Sequence, residues 1–256
     1  LVQCIVPDEE GNILIGVYWA GMFRYDPRTE ELSVVSYTDG SSSGLSSNGI
    51  WQIHADSNNI VWVATVGGGL NRYDMRTGEI RFFYTPDRLS NDITTVVEID
   101  NRTLLLGTTT SGVWRLDKQT FEMSPYINDK DKGMYVRCIQ KIGDRIYVGT
   151  ESGLYCHDMK TGRNRRYRLN YSNGHSLSCN AVYSLCEDRD GGIWIGTYFG
   201  GVNYLSPNNR YFSRFYATGE SGSLSGNVVR EMVEDRNGNL WIGTEDNGLN
   251  FYNPST

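Results

Sequence analysis

The sequence predicts an all-β chain, a β-propeller of four-stranded antiparallel blades. Three observations point there: one phrase repeated six times, a repeat of forty-odd residues, and a composition suited to short strands and tight turns. The phrase is clearest in Ile193-Trp194-Ile195-Gly196-Thr197 followed by Gly201-Val202-Asn203-Tyr204. It returns as Leu240-Trp241-Ile242-Gly243-Thr244 with Gly248-Leu249-Asn250-Phe251. Weaker copies begin at Ile13, Val61, Leu104 and Ile146. Anchored on the glycine (Ala64 in the second copy), the repeats fall at positions 16, 64, 107, 149, 196 and 243. The steps of 48, 43, 42, 47 and 47 residues lie in the range of propeller blades and solenoids.

Each element of the unit has a sequence reason. Strand A is a five-residue run rich in β-branched residues, beginning at Val2, Ile50, Ile93, Val136, Val182 and Val229. A turn of the type Asp188-Arg189-Asp190-Gly191-Gly192 follows, where Asp bonds local backbone and Gly accepts positive φ. Such Asp-rich strings invite a calcium reading, but the further ligands and the twelfth-position Glu of an EF-hand are lacking. Strand B is the Trp-Ile-Gly-Thr segment. Trp62, Trp194 and Trp241 share one repeat position with Leu14, Leu105 and Tyr147, so blade-to-blade core is expected there. Strand C is the Gly-Leu-Asn-Arg-Tyr-Asp type, ending in turns such as Asp158-Met159-Lys160-Thr161-Gly162. Strand D is short and aromatic, as in Ile80-Arg81-Phe82-Phe83-Tyr84 and in Tyr211 through Tyr216. No stretch shows the i, i+3, i+4 pattern of a helical solenoid.

The whole chain reads as one propeller domain, with repeats at about 1–48, 49–91, 92–134, 135–180, 181–227 and 228–256. The last repeat stops before its strand D. An unsealed six-blade ring or a slice of a larger one would explain this, and the slice is preferred. Opening inside a repeat without Met, the chain reads as a segment of a longer protein.

With 24 Lys and Arg against 30 Asp and Glu, the chain lacks the basic footprint of a nucleic-acid binder. No apolar run could cross a membrane. The five cysteines (Cys4, Cys138, Cys156, Cys179, Cys186) form no C-x-x-C pair, and His54, His157 and His175 are scattered. Neither a zinc site nor a redox motif is expected. Small side chains packed between blades are favoured for Cys4 and Cys138. A Cys179–Cys186 disulfide is the alternative that an oxidising compartment would permit.

The elements Asn-Gly-x-(Leu/Ile)-Trp-Ile-Gly-Thr, Gly-Gly-Leu-Asn and Tyr-Asp-x-x-Thr-Gly resemble the two-component regulator propeller repeat. The match is best over Asp235 to Phe251, Asp188 to Tyr204 and Asn59 to Gly78. WD40 repeats would carry a Gly-His and a Trp-Asp dipeptide in each unit, whereas this chain has no Trp-Asp and a single Gly-His, Gly174-His175. The resemblance implies the periplasmic sensor region of a hybrid two-component regulator, recognising an oligosaccharide and signalling to a histidine kinase. Its implied partners are a neighbouring propeller, a β-sandwich and the kinase of the parent protein, with homodimerisation allowed. The membrane would be met only through parent segments outside this chain. The family's rings usually have seven blades, so six repeats depart from the pattern.

On a propeller, the B–C and D–A connections share one face. The D–A connectors, residues 38–48, 170–180 and 217–227, are rich in Ser, Gly and Asn. The B–C loops are where the repeats differ, which is expected of a binding face. Tyr18, Trp19, Tyr198 and Phe199 lie there, off the core phase. Near the same rim, the second position of strand A carries Gln3, Trp51, Thr94, Arg137, Tyr183 and Arg230. Sugars pair apolar C–H faces with a hydroxyl rim, so flat aromatics beside forked donors suit them; Arg also suits an acidic sugar. The expected ligand site is Tyr18, Trp19, Trp51, Arg137, Tyr183, Tyr198, Phe199 and Arg230. For Trp51 and Tyr183, packing between blades is an equally open reading; contact with a neighbouring domain is another for the loop aromatics.

The basic run 160–168 could hold a sulfated glycan, but a charge-protected edge strand is the better reading. For catalysis, His54, His175 and Glu231 are the only candidates, on different repeats and with nothing to fix their separation. One Gly-x-Ser-x-Gly string occurs, Gly40 to Gly44, but in a Ser-rich connector between strands and not on the strand-to-helix turn that a nucleophile elbow needs. No catalytic residue, metal or cofactor is expected, and the chain reads as a non-enzymatic sensor. A protein-interaction scaffold, or a propeller lyase or hydrolase acting on a glycan, remains as the alternative.

Overall fold

Six antiparallel sheets follow one another along the chain in the computed structural model, which describes residues 1–37, 44–86, 91–128, 134–208 and 211–254. The first half of the D–A connector 38–48 therefore lies outside the described residues. Residues 1–135 form one compact unit and residues 136–256 a second.

In the first unit the sheets are β1 (Val2–Pro7) to β4 (Glu31–Val35), β5 (Ile50–Ala55) to β8 (Ile80–Phe83), and β9 (Ile93–Asp100) to β12 (Met123–Ile127). The strands between are β2 (Ile13–Val17), β3 (Gly21–Asp26), β6 (Ile60–Thr65), β7 (Gly69–Asp74), β10 (Thr103–Thr108) and β11 (Val113–Asp117). The second unit holds β13 (Val136–Ile142), β14 (Arg145–Thr150), β15 (Gly153–Asp158) and β16 (Asn164–Tyr167). It continues with β17 (Val182–Glu187), β18 (Ile193–Thr197), β19 (Val202–Leu205) and β20 (Phe212–Phe215). It ends with β21 (Val229–Glu234), β22 (Leu240–Thr244) and β23 (Gly248–Tyr252). Strands pair with their sequence neighbours in every sheet, and the last sheet has three strands. These are β-propeller blades, with the strand order A-B-C-D that the repeat predicts.

Apolar side chains at alternating positions of strands A, B and C meet the next sheet. Leu14, Met22, Ile50, Ile53, Val61 and Val63 join the first two sheets. Trp62, Leu70, Ile93, Val96, Leu104 and Leu106 join the second and third. In the second unit Tyr147, Leu154, Val182, Leu185 and Ile195 form one such layer, and Trp194, Val202, Val229, Met232 and Ile242 the next. The anchor glycine follows from this packing. A Cβ on Gly16 would overlap Cys4 and Ile50; one on Gly196 would overlap Ser184 and Val229. Strand A of the same blade and of the next both close onto that position.

Trp62 and Trp194 are buried as expected, but Trp241 is 36 % exposed. It shares an open face with Val233, Leu249 and Phe251, because no further sheet of its unit covers the outer side of β21–β23. Its indole N–H still donates to Asp235, as that of Trp62 donates to Asp56. The Asp of the A–B turn is thus a hairpin anchor. Asp188 accepts from the backbone of Asp190 and Gly192, and Asp56 from Asn58 and Ile60. Among the described residues no group of His, Cys, Asp and Glu could hold a metal ion. All five cysteines are free thiols, so the alternative Cys179–Cys186 bridge is not formed.

A second set of bonds ties three of the D–A connectors to strand C. Asn203 is fully buried; its carbonyl accepts from the backbone of Ser178, and its amide donates to Ser178 Oγ at 2.7 Å. Asn71 does the same with Ser46. Asn250 accepts from Ser225 in the last blade. Leu45 and Leu177, just before those serines, are buried plugs. The strand B threonine then closes the B–C loop: Thr65, Thr108, Thr150, Thr197 and Thr244 each donate to the glycine carbonyl opening strand C.

Replacing Asn203 by Ala strands the Ser178 N–H in a buried connector and should destabilise the protein by about 2–3 kcal/mol, read as a lower urea midpoint. A pH dependence is expected at Asp56. Burial pushes its carboxyl up, but Trp62, the backbone of Asn58 and Ile60, and Lys118 outweigh burial and leave it below the ordinary value. Its contribution is therefore full above the unfolded pKa of about 3.9 and is lost as pH falls through the lower folded value. Asp56→Asn should be less stable than wild type at pH 7, and the gap should shrink below pH 4.

Candidate functional site

The second residue of strand A is a β-bulge in all six sheets. Val2 pairs Val17 while Cys4 pairs Gly16, leaving Gln3 unpaired. The same skip leaves out Trp51, Thr94, Arg137, Tyr183 and Arg230. A bulge bends its strand and re-aims the extra side chain, which is why bulges gather beside binding sites. Five of the B–C loops are held next to their own bulge by the strand A–loop backbone bond: Tyr18, Val66, Thr109, Tyr198 and Glu245 each donate to the carbonyl just before strand A. Those five repeats thereby present a pair, one residue from the bulge and one from the loop, and in the remaining repeat the bulge residue Arg137 bonds the loop residue Glu151 directly.

In the first unit Tyr18 lies between two tryptophans, 5.1 Å from Trp19 and 5.8 Å from Trp51 between ring centroids. Trp19 is 62 % exposed. Trp51 packs half-buried on the blade core, and its indole N–H is buried without a partner among the described residues. Trp51 therefore takes part in both packing and the rim. Trp19 also has φ of 64°, the left-handed region that costs a bulky residue about 1–3 kcal/mol. The same loop position of the next repeat is Gly67, at φ 68°. An exposed indole is held where glycine would be the cheaper residue.

In the second unit Tyr183 is the centre. Tyr198 stacks on it at 4.9 Å and 21°, and Phe199 stands edge-on to Tyr198 at 4.4 Å, itself 70 % exposed. Arg137 lies 4.5 Å from the Tyr183 ring centroid and Arg230 5.2 Å, so two guanidinium groups attend one phenol. Each arginine is also paired with the loop residue of its own repeat. Arg137 Nε donates to Glu151 Oε1 at 2.6 Å, and Arg230 Nη1 lies 3.4 Å from Glu245 Oε2. The Tyr183 hydroxyl donates to the same Glu151 oxygen at 3.0 Å. Burial pushes the Tyr183 phenol up to about 12; Arg137 opposes this, and the bond to Glu151 adds to it. Glu151 and Glu245 belong to the site but escape sequence reasoning, which weighs arginine and aromatic positions singly. The signal available was their place one residue after the strand B threonine.

The three catalytic candidates lie on or beside different sheets. Burial lowers the His54 pKa, and its Nε2 has no partner among the described residues. His175 leans on Tyr211 at 5.0 Å beside β20, whereas Glu231 sits on β21, its carboxyl raised by the protein around it. In the basic run, Arg166 donates to the Ser152 carbonyl and lies 4.8 Å from the Tyr155 ring. Arg165 covers Tyr167, and Lys160 pairs with Asp144. Those charges are engaged in holding an edge strand. A cavity of about 420 Å³ lies elsewhere, along the open edge of β23, lined by Trp194, Phe215, Leu224, Phe251 and Tyr252. No bulge residue reaches it. It occupies the place that a fourth strand fills in the other sheets.

Three segments, residues 44–67, 176–199 and 223–246, match the family model described as two component regulator propeller. Each runs from the clamped D–A connector through strands A and B into the loop. No curated protein matches the sequence. Among solved structures, one is described as the extracellular domain of a hybrid two component system from Bacteroides thetaiotaomicron. It has TM-score 0.83 and 24 % identity over 98 % of this chain. This chain spans 33 % of that one, about a third of its length. PorZ, a surface component of the type-IX secretion system of Porphyromonas gingivalis, gives TM-score 0.73 and 16 % identity over 98 % of this chain and 38 % of its own. A virginiamycin B lyase from Staphylococcus aureus, solved with quinupristin, gives TM-score 0.72 and 11 % identity over 98 % of this chain and 83 % of its own. At these identities the likeness is one of fold.

Trp19→Gly should leave stability unchanged or raise it by up to about 1 kcal/mol, since relief of the left-handed strain offsets the lost ring contact and the added chain entropy. A thermal unfolding midpoint several degrees below wild type would contradict this account of the loop.

Proposed function

We propose that this chain, whose repeats are those of the two component regulator propeller family, is a non-enzymatic, extracytoplasmic ligand-sensing domain that binds an oligosaccharide. The observation that carries this reading is the bulge-and-loop pair repeated in every blade. In this pair the backbone is constant from blade to blade and the side chains vary. Each unit carries one aromatic group of this kind: Tyr18, Trp19 and Trp51 in the first, and Tyr183, Tyr198 and Phe199 in the second. Exposed, pre-oriented rings lose little entropy on binding and match the C–H faces of sugars. The ligand-binding residues are therefore Tyr18, Trp19, Trp51, Arg137, Tyr183, Tyr198, Phe199 and Arg230, with Glu151 and Glu245 beside them.

The sensor assignment draws support from the repeat family and from a likeness to a structure described as an extracellular domain of a hybrid two component system. In this reading the parent protein carries a histidine kinase, and the chain faces the periplasm. Binding would be passed on through domains that adjoin it.

The test is calorimetry of the chain against a panel of plant, host and microbial oligosaccharides, with product analysis in the same samples. Saturable binding without cleavage is expected. Tyr198→Ala and Trp19→Gly should each weaken it by about tenfold or more, as loss of one stacking ring implies. Cleavage of the bound sugar would overturn the non-enzymatic reading, and a hit indifferent to both substitutions would overturn the site.

A further inference from the structure

Two arginines flank Tyr183, and alone they would make an anion clamp suited to sulfate or uronate groups. Both are claimed. Glu151 Oε1 takes Arg137 Nε, Arg137 Nη2 and the Tyr183 hydroxyl together. The Arg137 side chain is only 19 % exposed, so its pair is partly shielded from screening. Glu245 faces Arg230 across 3.4 Å, and Asp246 follows it in the same loop. The two cations thus meet two carboxylates, while the ring of Phe199 stays open to a ligand. A polyanion arriving here would have to displace Glu151 or approach like charges.

Resting on the oligosaccharide reading above, we propose that Glu151 and Glu245 are specificity-determining residues: they occupy the arginine forks and set this rim for neutral sugar chains against sulfated or uronate ones. The arginines serve as flat cationic plates on Tyr183 and as donors to sugar hydroxyls, and the glutamates accept from hydroxyls. This reverses the acidic-sugar role that the arginines suggest when read from sequence alone. In these two repeats the loop supplies the counterion to its own bulge, so changing one loop residue changes the ligand charge class without touching the fold.

The experiment uses sodium sulfate as the anion probe, with sodium chloride at equal ionic strength as the control. Arginine Nε–H signals of the 256-residue chain are followed by NMR. Wild type should show no saturable shift at Arg137 or Arg230. Glu151→Gln combined with Glu245→Gln should bind sulfate at least tenfold more tightly than wild type. Glu245→Gln alone, in the more exposed pair, should gain part of that effect and provides the readout if the double variant folds poorly. Sulfate binding by wild type as tight as by the variants, or no gain in a folded variant, would overturn the proposal.

The same proteins are then titrated with a neutral glucan hexamer and a galacturonate hexamer. Galacturonate bound by wild type as well as glucan would overturn the charge inference and leave the oligosaccharide reading standing. No hit from either hexamer or from the wider panel, with the sulfate switch intact, would overturn the oligosaccharide reading and leave the charge assignment of the two glutamates.

Discussion

The interaction on which the rest depends is the buried amide clamp between strand C and the connector that leads into strand A. Asn71 and Asn203 each hold a serine backbone and hydroxyl from inside a closed layer, where no water competes. That clamp fixes the start of strand A relative to strands B and C of the same blade. The threonine-to-glycine bond then fixes the B–C loop. Together they bring the connector, the bulge and the loop to one rim. A connecting segment is ordinarily the variable part of a blade; here its last four residues are as constrained as a strand.

Bulge and clamp divide the labour between stability and recognition. On strand A the residues before and after the bulge are tied to strand B, and the apolar ones close on the next sheet. The bulged residue has no pairing partner in the ladder, so its identity is free of the core's volume constraint. Gln, Trp, Thr, Arg and Tyr all occur there on one backbone. Trp51 shows the limit of that freedom, since its large ring both packs on the blade and faces Tyr18. Trp19 shows the cost, because an exposed indole in left-handed backbone is tolerated only where the loop around it is already fixed.

Much of the fold was legible in the chain. The glycine spacing, the Asp-led turns and the alternating apolar runs are local signals, and the sheets follow them strand for strand. The Trp phase was legible too, and Trp241 departs from it for a reason no local signal carries: burial depends on what lies across the sheet. Of the site, the aromatic and arginine positions could be picked from repeat variation. Their pairing could not, because Arg137 and Glu151 are fourteen residues apart, and only the antiparallel return of strand B puts them side by side.

By itself the sequence determined the architecture, since a period of forty-odd residues with strand-length apolar runs has few other solutions in water. It also determined which residues are free to vary, by showing where the copies differ. Tertiary structure decided what those residues can do. Whether an arginine is an anion clamp or a neutralised plate depends on the carboxylate a few ångströms away. Charge acts through space at those distances and not along the chain.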